Sequence, residues 1–180
     1  MPASSVENVT KRTAPARPAP KRLTAAQSLA AVRDRLQAYA DRGVFRGYSE
    51  QTPRAGRHRF RFSWLGARPM LLDYTPDTGT FLFRGLLPDI AARSSLAGDV
   101  TAFVAGRASP RLPLHRRVDR RRARVECVAA RGAISVGLVA TRNQHDYGAN
   151  RIINLAHELF LYLQTYQPEY MWKHFDAPQE

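Results

Sequence analysis

The chain has a single cysteine, Cys127, so it forms no intrachain disulfide and no thiolate metal cluster. That usage points to a reducing compartment, the cytoplasm. No apolar run approaches the ~20 residues that span a bilayer. The opening MPASSVENVTKR lacks the apolar core of a secretory signal. Pro2, Pro15, Pro18 and Pro20 oppose the amphipathic helix of an organelle transit peptide. HExxH and CxxC spacings are missing, as are GxSxG, Walker-type and dinucleotide glycine patterns. Metal hydrolysis, acyl transfer and nucleotide chemistry therefore have no starting point. The expectation is a protein without catalysis and without a cofactor. No internal repeat is visible.

What is present is a chain of 180 residues, enough for one domain and a tail. A hydrophobic content of 44% is that of a protein with a buried core. The net charge of +13 favours anionic partners: nucleic acid, an acidic protein or an anionic surface. Residues 1–22 are rich in Pro, Ala, Ser and Thr and poor in large apolar groups, which predicts a disordered basic tail. Residues 23–180 read as one α+β domain.

The domain opens with a helix over about Ala25–Arg42. Thr24 and Gln27 have capping-box spacing, Leu29, Val32, Leu36 and Tyr39 form its apolar face, and Gly43 is a left-handed stop. A weak strand candidate covers Val44–Tyr48. Over Arg57–Leu65, His58, Phe60, Phe62 and Trp64 alternate with Arg57, Arg59, Arg61 and Ser63, a period of two that sends aromatics to one face and arginines to the other. The aromatics read as core, against a rival reading as a stacking platform for bases. Met70–Tyr74 and Thr80–Leu86 complete a meander around the turn Thr75–Gly79. A second helix spans about Ser95–Ala105, with Leu96, Val100, Phe103 and Val104 inward. Two strands, about Arg117–Ala129 and Ala133–Thr141, form a hairpin at Arg131-Gly132. The order is α-β-β-β(-β)-α-β-β-α, with an antiparallel sheet made of a meander plus a hairpin. Beyond Pro168, the apolar side chains of EYMWKHF predict a docked tail.

The last helix, Tyr147–Tyr166, is the element around which the rest is arranged. Ile152, Leu155, Ala156, Leu159, Phe160, Leu163 and Tyr166 make one apolar stripe. Ile153, Leu161 and Tyr162 lie outside it. A face wider than the ~100° of a single core contact implies two partners, the protein's own sheet and a second surface. That second surface is either a copy of the chain or a client protein.

Arginines on strands are the strongest non-random feature. Arg57, Arg59 and Arg61 on one strand and Arg120, Arg122 and Arg124 on another are placed to share the outer face of the sheet. Together they would suit phosphates or carboxylates, which guanidinium forks bind bidentately. A solvated sheet face or a charged edge strand is the plain alternative. Asp146 reads as the N-cap of the last helix. His157 falls at the edge of a packed face, one turn after Ile153. His145, His157 and His174 are too scattered to make a metal site. Asn150 and Asn154, one turn apart, can bond a peptide backbone or serve packing. Cys127 falls on the core face.

With the hairpin Arg117–Thr141 running into YGANRIINLAHELFLYL, the layout resembles the YbjN family and is similar to the class I chaperones of type III secretion. The resemblance covers about Thr24–Tyr166 and is one of element order. It implies an antiparallel sheet covered by helices on one face, and a homodimer that binds an extended segment of another protein without cofactor or catalysis. Secretion chaperones of this kind are acidic, whereas this chain is basic. The functional expectation is a cytoplasmic, bacterial, non-enzymatic, homodimeric adaptor or chaperone-like module for an acidic or disordered partner segment, which includes a partner acting on DNA, with weak non-specific nucleic-acid binding from its charge. The rival expectation is an accessory nucleic-acid-binding protein that uses the arginine-rich sheet face.

Overall fold

A computed structural model describes residues 21–52, 56–66 and 68–176. The tail expected over residues 1–22 lies outside the described residues except for Lys21 and Arg22. These two are tied to the domain: Asn143 Nδ2 donates to the Lys21 carbonyl at 2.8 Å, and Arg22 donates to the Asp77 carbonyl at 3.0 Å.

Ten elements follow in order: α1 (Ala25–Asp41), β1 (Arg46–Gln51), β2 (His58–Ser63), β3 (Pro69–Thr75), β4 (Thr80–Pro88), α2 (Ser95–Gly106), β5 (Ala123–Ala130), β6 (Ala133–Ala140), α3 (His145–Tyr166) and α4 (Pro168–Phe175). All six strands form one antiparallel sheet in the order β1-β2-β3-β4-β6-β5. This is the expected α+β order, with the fourth meander strand present and the C-terminal tail folded as α4.

Period-two patterning builds the core. Phe60 and Phe62, Leu72 and Tyr74, Phe81 and Phe83, and Ile134, Val136 and Leu138 are all fully buried on one face. Burying each of these large side chains contributes about 2–3 kcal/mol. The helices cover that face. α1 begins at Thr24, whose side chain and that of Gln27 complete a capping box, and it buries Leu29, Val32, Leu36 and Tyr39. α3 approaches the sheet at Gly148, where a Cβ would lie 2.5 Å from Phe81 Cε2 and 3.0 Å from the Ala140 Cβ. Only glycine permits that approach. Beneath it the Tyr74 hydroxyl and His145 Nδ1 are 2.8 Å apart in a buried hydrogen bond. The desolvation of burial pushes the Tyr74 pKa up and the His145 pKa down.

Four expectations need correction. β5 begins at Ala123, not Arg117, because Asp119 turns the chain: its carboxylate accepts from the Arg121 N–H at 2.9 Å, and its carbonyl accepts from the Arg122 N–H at 2.9 Å. Asp146 is not the N-cap of α3. Gln144 holds that position without a side-chain bond, while Asp146 lies in the first turn and forms a two-point ion pair with Arg35 at 2.8 Å. Trp64 packs against the core as expected but lies past the end of β2, stacked on His157 with ring centroids 5.8 Å apart. Ile153 is buried, so it offers nothing to a second molecule.

Candidate functional site

The face of the sheet opposite the helices is open. Arg59, Arg61, Leu71, Asp73, Leu82, Arg84, Arg124 and Glu126 point to it by strand alternation. Asp73 is its unexpected centre. It is 4% exposed, accepts from Arg59 Nε at 2.6 Å and Nη2 at 3.1 Å, and lies 3.4 Å from Arg84. A buried carboxylate is held by two guanidinium groups, as burial of a charge demands. Arg59 is therefore committed to the sheet. The signal was present in the sequence: Asp73 alternates with Leu72 and Tyr74 and so shares a face with the arginines of β2.

The six expected patch arginines do not form one cluster. Arg59 and Arg61 are on β2, and exposed Arg57 just precedes it. Arg124 is on β5, four strand positions away, about 19 Å at ~4.8 Å per strand. Arg120 and Arg122 are on no strand. They belong to the connection from α2 to β5, where Arg107, Arg111, Arg116, Arg117, Arg120, Arg121 and Arg122 crowd into one segment.

That connection is pinned in place. Val118 is buried at its middle, and its N–H donates to the Arg107 carbonyl at 2.8 Å. The Asp119 N–H donates to the Tyr147 hydroxyl at 2.8 Å. Thr141 Oγ1 reaches the carbonyls of Arg121 and Arg122 at 3.0 and 3.1 Å. The Arg151 guanidinium donates to the carbonyls of His115 and Leu114. Glu158 binds both Arg107 and Arg116. Arg122 stacks 3.8 Å from the Tyr147 ring centroid and donates to Gln144 Oε1 at 2.6 Å. Arg117, Arg120 and Arg121 make no ion pair among the described residues.

The β5 edge is the other exposed feature. Arg131 and Gly132, with φ of 53° and 73°, make the two-residue turn that closes on the pair Ala130–Ala133. The Thr141 N–H donates to the Arg122 carbonyl at 2.8 Å. Alternation from these fixed points turns the backbone groups of Arg124, Glu126 and Val128 toward β6. Those of Ala123, Val125, Cys127 and Ala129 point outward, and among the described residues no strand pairs with them. The opposite edge is protected, since β1 carries a register shift between Arg46 and Ser49 and a left-handed Gly47. β5 has no bulge and no proline.

Beside this edge lies α2. Its Val100 and Val104 bury into the sheet, and Phe103 turns toward α3, with ring centroids 4.6 Å from Tyr162. The side away from α3 presents Gly98, Thr101, Ala102 and Ala105, all exposed and none charged. Thr101 Oγ1 is 3.7 Å from Cys127 Sγ, and burial pushes the Cys127 thiol pKa up. The expected partner helix surface is thus reduced. Ile153 is covered, Tyr162 is half-buried between Phe103 and Tyr166, and Leu161 is 50% exposed. Asn150 donates to the Tyr39 hydroxyl of α1, and Asn154, one turn further along α3, donates to Asn150 Oδ1, so Asn150 joins the two helices and Asn154 holds it in place.

Among the described residues no group of three His, Cys, Asp or Glu side chains stands together for a metal, and no helix is long and apolar enough to cross a membrane. No family model, curated protein or solved structure matches the chain.

Proposed function

We propose that the chain acts as a non-enzymatic, homodimeric adaptor of the cytoplasm that holds an acidic segment of a partner protein, as the YbjN-like and secretion-chaperone-like layout implies. The observation that carries this reading is the unguarded β5 edge flanked by the uncharged side of α2. A regular edge without charge, bulge or proline on its bonding side is a template for another strand. A second copy fits it by charge. Pairing two β5 strands antiparallel about a two-fold axis at Val125 sets Arg124 opposite Glu126 of the second copy, and the reverse. The outward groups of Ala123, Val125 and Cys127 then meet their counterparts, and the two α2 helices approach through Gly98, Ala102 and Ala105. The joined open faces, with Arg61, Arg84 and half-buried Leu71 and Leu82 on each, suit an extended acidic segment.

Light scattering after size exclusion tests the pairing. The wild-type chain at ~10 μM is expected at twice its 20.2 kDa mass. Glu126→Arg should give monomers, since like charges then face each other across the axis. The swap Arg124→Glu with Glu126→Arg should restore the dimer. A monomeric wild type, or a dimer indifferent to Glu126→Arg, rejects this interface.

A further inference from the structure

The pinned arginine connection opens on two depressions. One, of about 280 Å³, is lined by Arg117, Asp119, Arg120 and Arg121 together with small side chains. The other, of about 450 Å³, is lined by Arg22, Arg142, Asn143 and Gln144. Arg122 joins them, because it follows Arg121 in the chain and its Nε donates to Gln144 Oε1 at 2.6 Å. The result is a cationic track across one end of the molecule, from Arg117 through Arg122 to Arg142 and Arg22. Among the described residues that line the two basins Asp119 is the acidic one, and its carboxylate accepts from the Arg121 N–H.

We propose that this track binds the phosphate backbone of a nucleic acid strand without reading its sequence. Three observations favour that ligand. Like charges repel, yet Tyr147, Thr141 and Arg151 hold the connection in one shape, so the arginines are preorganised rather than dispersed. The track has two basins in series, which suits a polymer that repeats its anion. Its groups are guanidinium forks, which match phosphate oxygens two at a time. An anionic bilayer would call for large apolar groups beside the cations, and among the described residues neither basin is lined by an aromatic, leucine or isoleucine side chain. This surface is separate from the β5 edge, and its test does not depend on dimerisation.

The test is fluorescence anisotropy of the full chain with 20-nucleotide single- and double-stranded probes, over 50–300 mM salt. Arg120→Ser/Arg121→Ser/Arg142→Asn is compared with a charge-matched control, Arg46→Ser/Arg93→Ser/Arg131→Asn, whose exposed arginines lie elsewhere. The track variant is expected to lose about tenfold or more in affinity at 100 mM salt. The slope of log K against log salt should flatten by about 2–3, at roughly 0.9 per lost phosphate contact on duplex and 0.7 on single strands. The control should change affinity less than about threefold. Equal losses in both variants would mean generic charge and overturn the track. So would binding to phosphatidylserine vesicles in place of oligonucleotides, or equal displacement of the probe by polyglutamate at matched charge.

Discussion

His145 is one residue through which pH acts on stability. It is 5% exposed, bonded to the buried Tyr74 hydroxyl, and burial depresses its pKa below the ordinary 6.5. In the unfolded chain the imidazole takes up a proton near its ordinary pKa, while in the folded chain it resists until a lower pH. The unfolded state therefore binds more protons in that window. The contribution of His145 is fully present above about pH 6.5 and is lost as pH falls from there toward the folded value, by at most about 1.4 kcal/mol per pH unit. Urea unfolding at pH 7.0, 6.0 and 5.0 should show this loss in the wild type and a shallower one in His145→Gln. The variant should also be less stable at pH 7.0 by about 1–3 kcal/mol, since it disturbs a buried hydrogen-bonded pair. Parallel pH profiles for the two proteins would count against the assignment. Asp73 shows the same need for partners at this scale, a buried carboxylate held by Arg59 and Arg84.

At the scale of elements, α4 earns its place through two residues. Met171 and Phe175 are buried, and the Phe175 ring lies 5.1 Å from Phe160. Gly66 closes the same corner, where a Cβ would meet the Phe175 carbonyl oxygen at 2.7 Å. Phe175→Ala should cost about 3–5 kcal/mol in unfolding free energy. Trp172→Ala, one residue from Met171 but 58% exposed, should cost within about 0.5 kcal/mol. Equal costs would mean that α4 is not docked as described. This corner also marks what was legible in the sequence. The apolar residues of EYMWKHF announced docking, and the alternation of Phe60 and Phe62 or Ile134 and Val136 announced the core face, because both signals are local and periodic. The width of the apolar face on α3 was legible too, but not its use. Ile153 is buried and Tyr162 half-buried within the chain's own fold, against neighbours that lie far away in sequence. The start of β5 was hidden because Arg120 and Arg122 continue the period of Arg124 and Glu126 backwards, while the Asp119 turn that breaks it is held by the side chains of Thr141 and Tyr147, far away in sequence. Strand order was beyond reach: a period of two assigns the face of Arg59 and of Arg124 but not the three strands between β2 and β5.

Charge is the property of the whole molecule. The chain carries +13, and its best-placed carboxylates each bind two side chains: Asp73 binds Arg59 and Arg84, Glu158 binds Arg107 and Arg116, and Glu50 binds Arg33 and the His58 ring. Shared in this way, the acids secure the fold and leave an excess of arginine, which gathers at the end where residues 117–122 meet Arg22 and Arg142. Two effects of salt follow and can be separated. Sodium chloride screens the self-repulsion of the net charge, so the melting temperature should rise between 10 and 500 mM in every variant. Pyrophosphate at matched ionic strength should add a further increment by binding the native track. At ten times its dissociation constant that increment is about 1.4 kcal/mol, or about 3–6 °C for a domain of this size. Multivalent anions also stabilise proteins by exclusion from the surface, an effect that does not depend on particular arginines. The informative quantity is therefore the difference between proteins. Arg120→Ser/Arg121→Ser/Arg142→Asn should keep the chloride response and lose the pyrophosphate increment, while Arg46→Ser/Arg93→Ser/Arg131→Asn should keep both. If the two triple variants respond alike, the excess positive charge is diffuse and the end of the sheet holds no anion site.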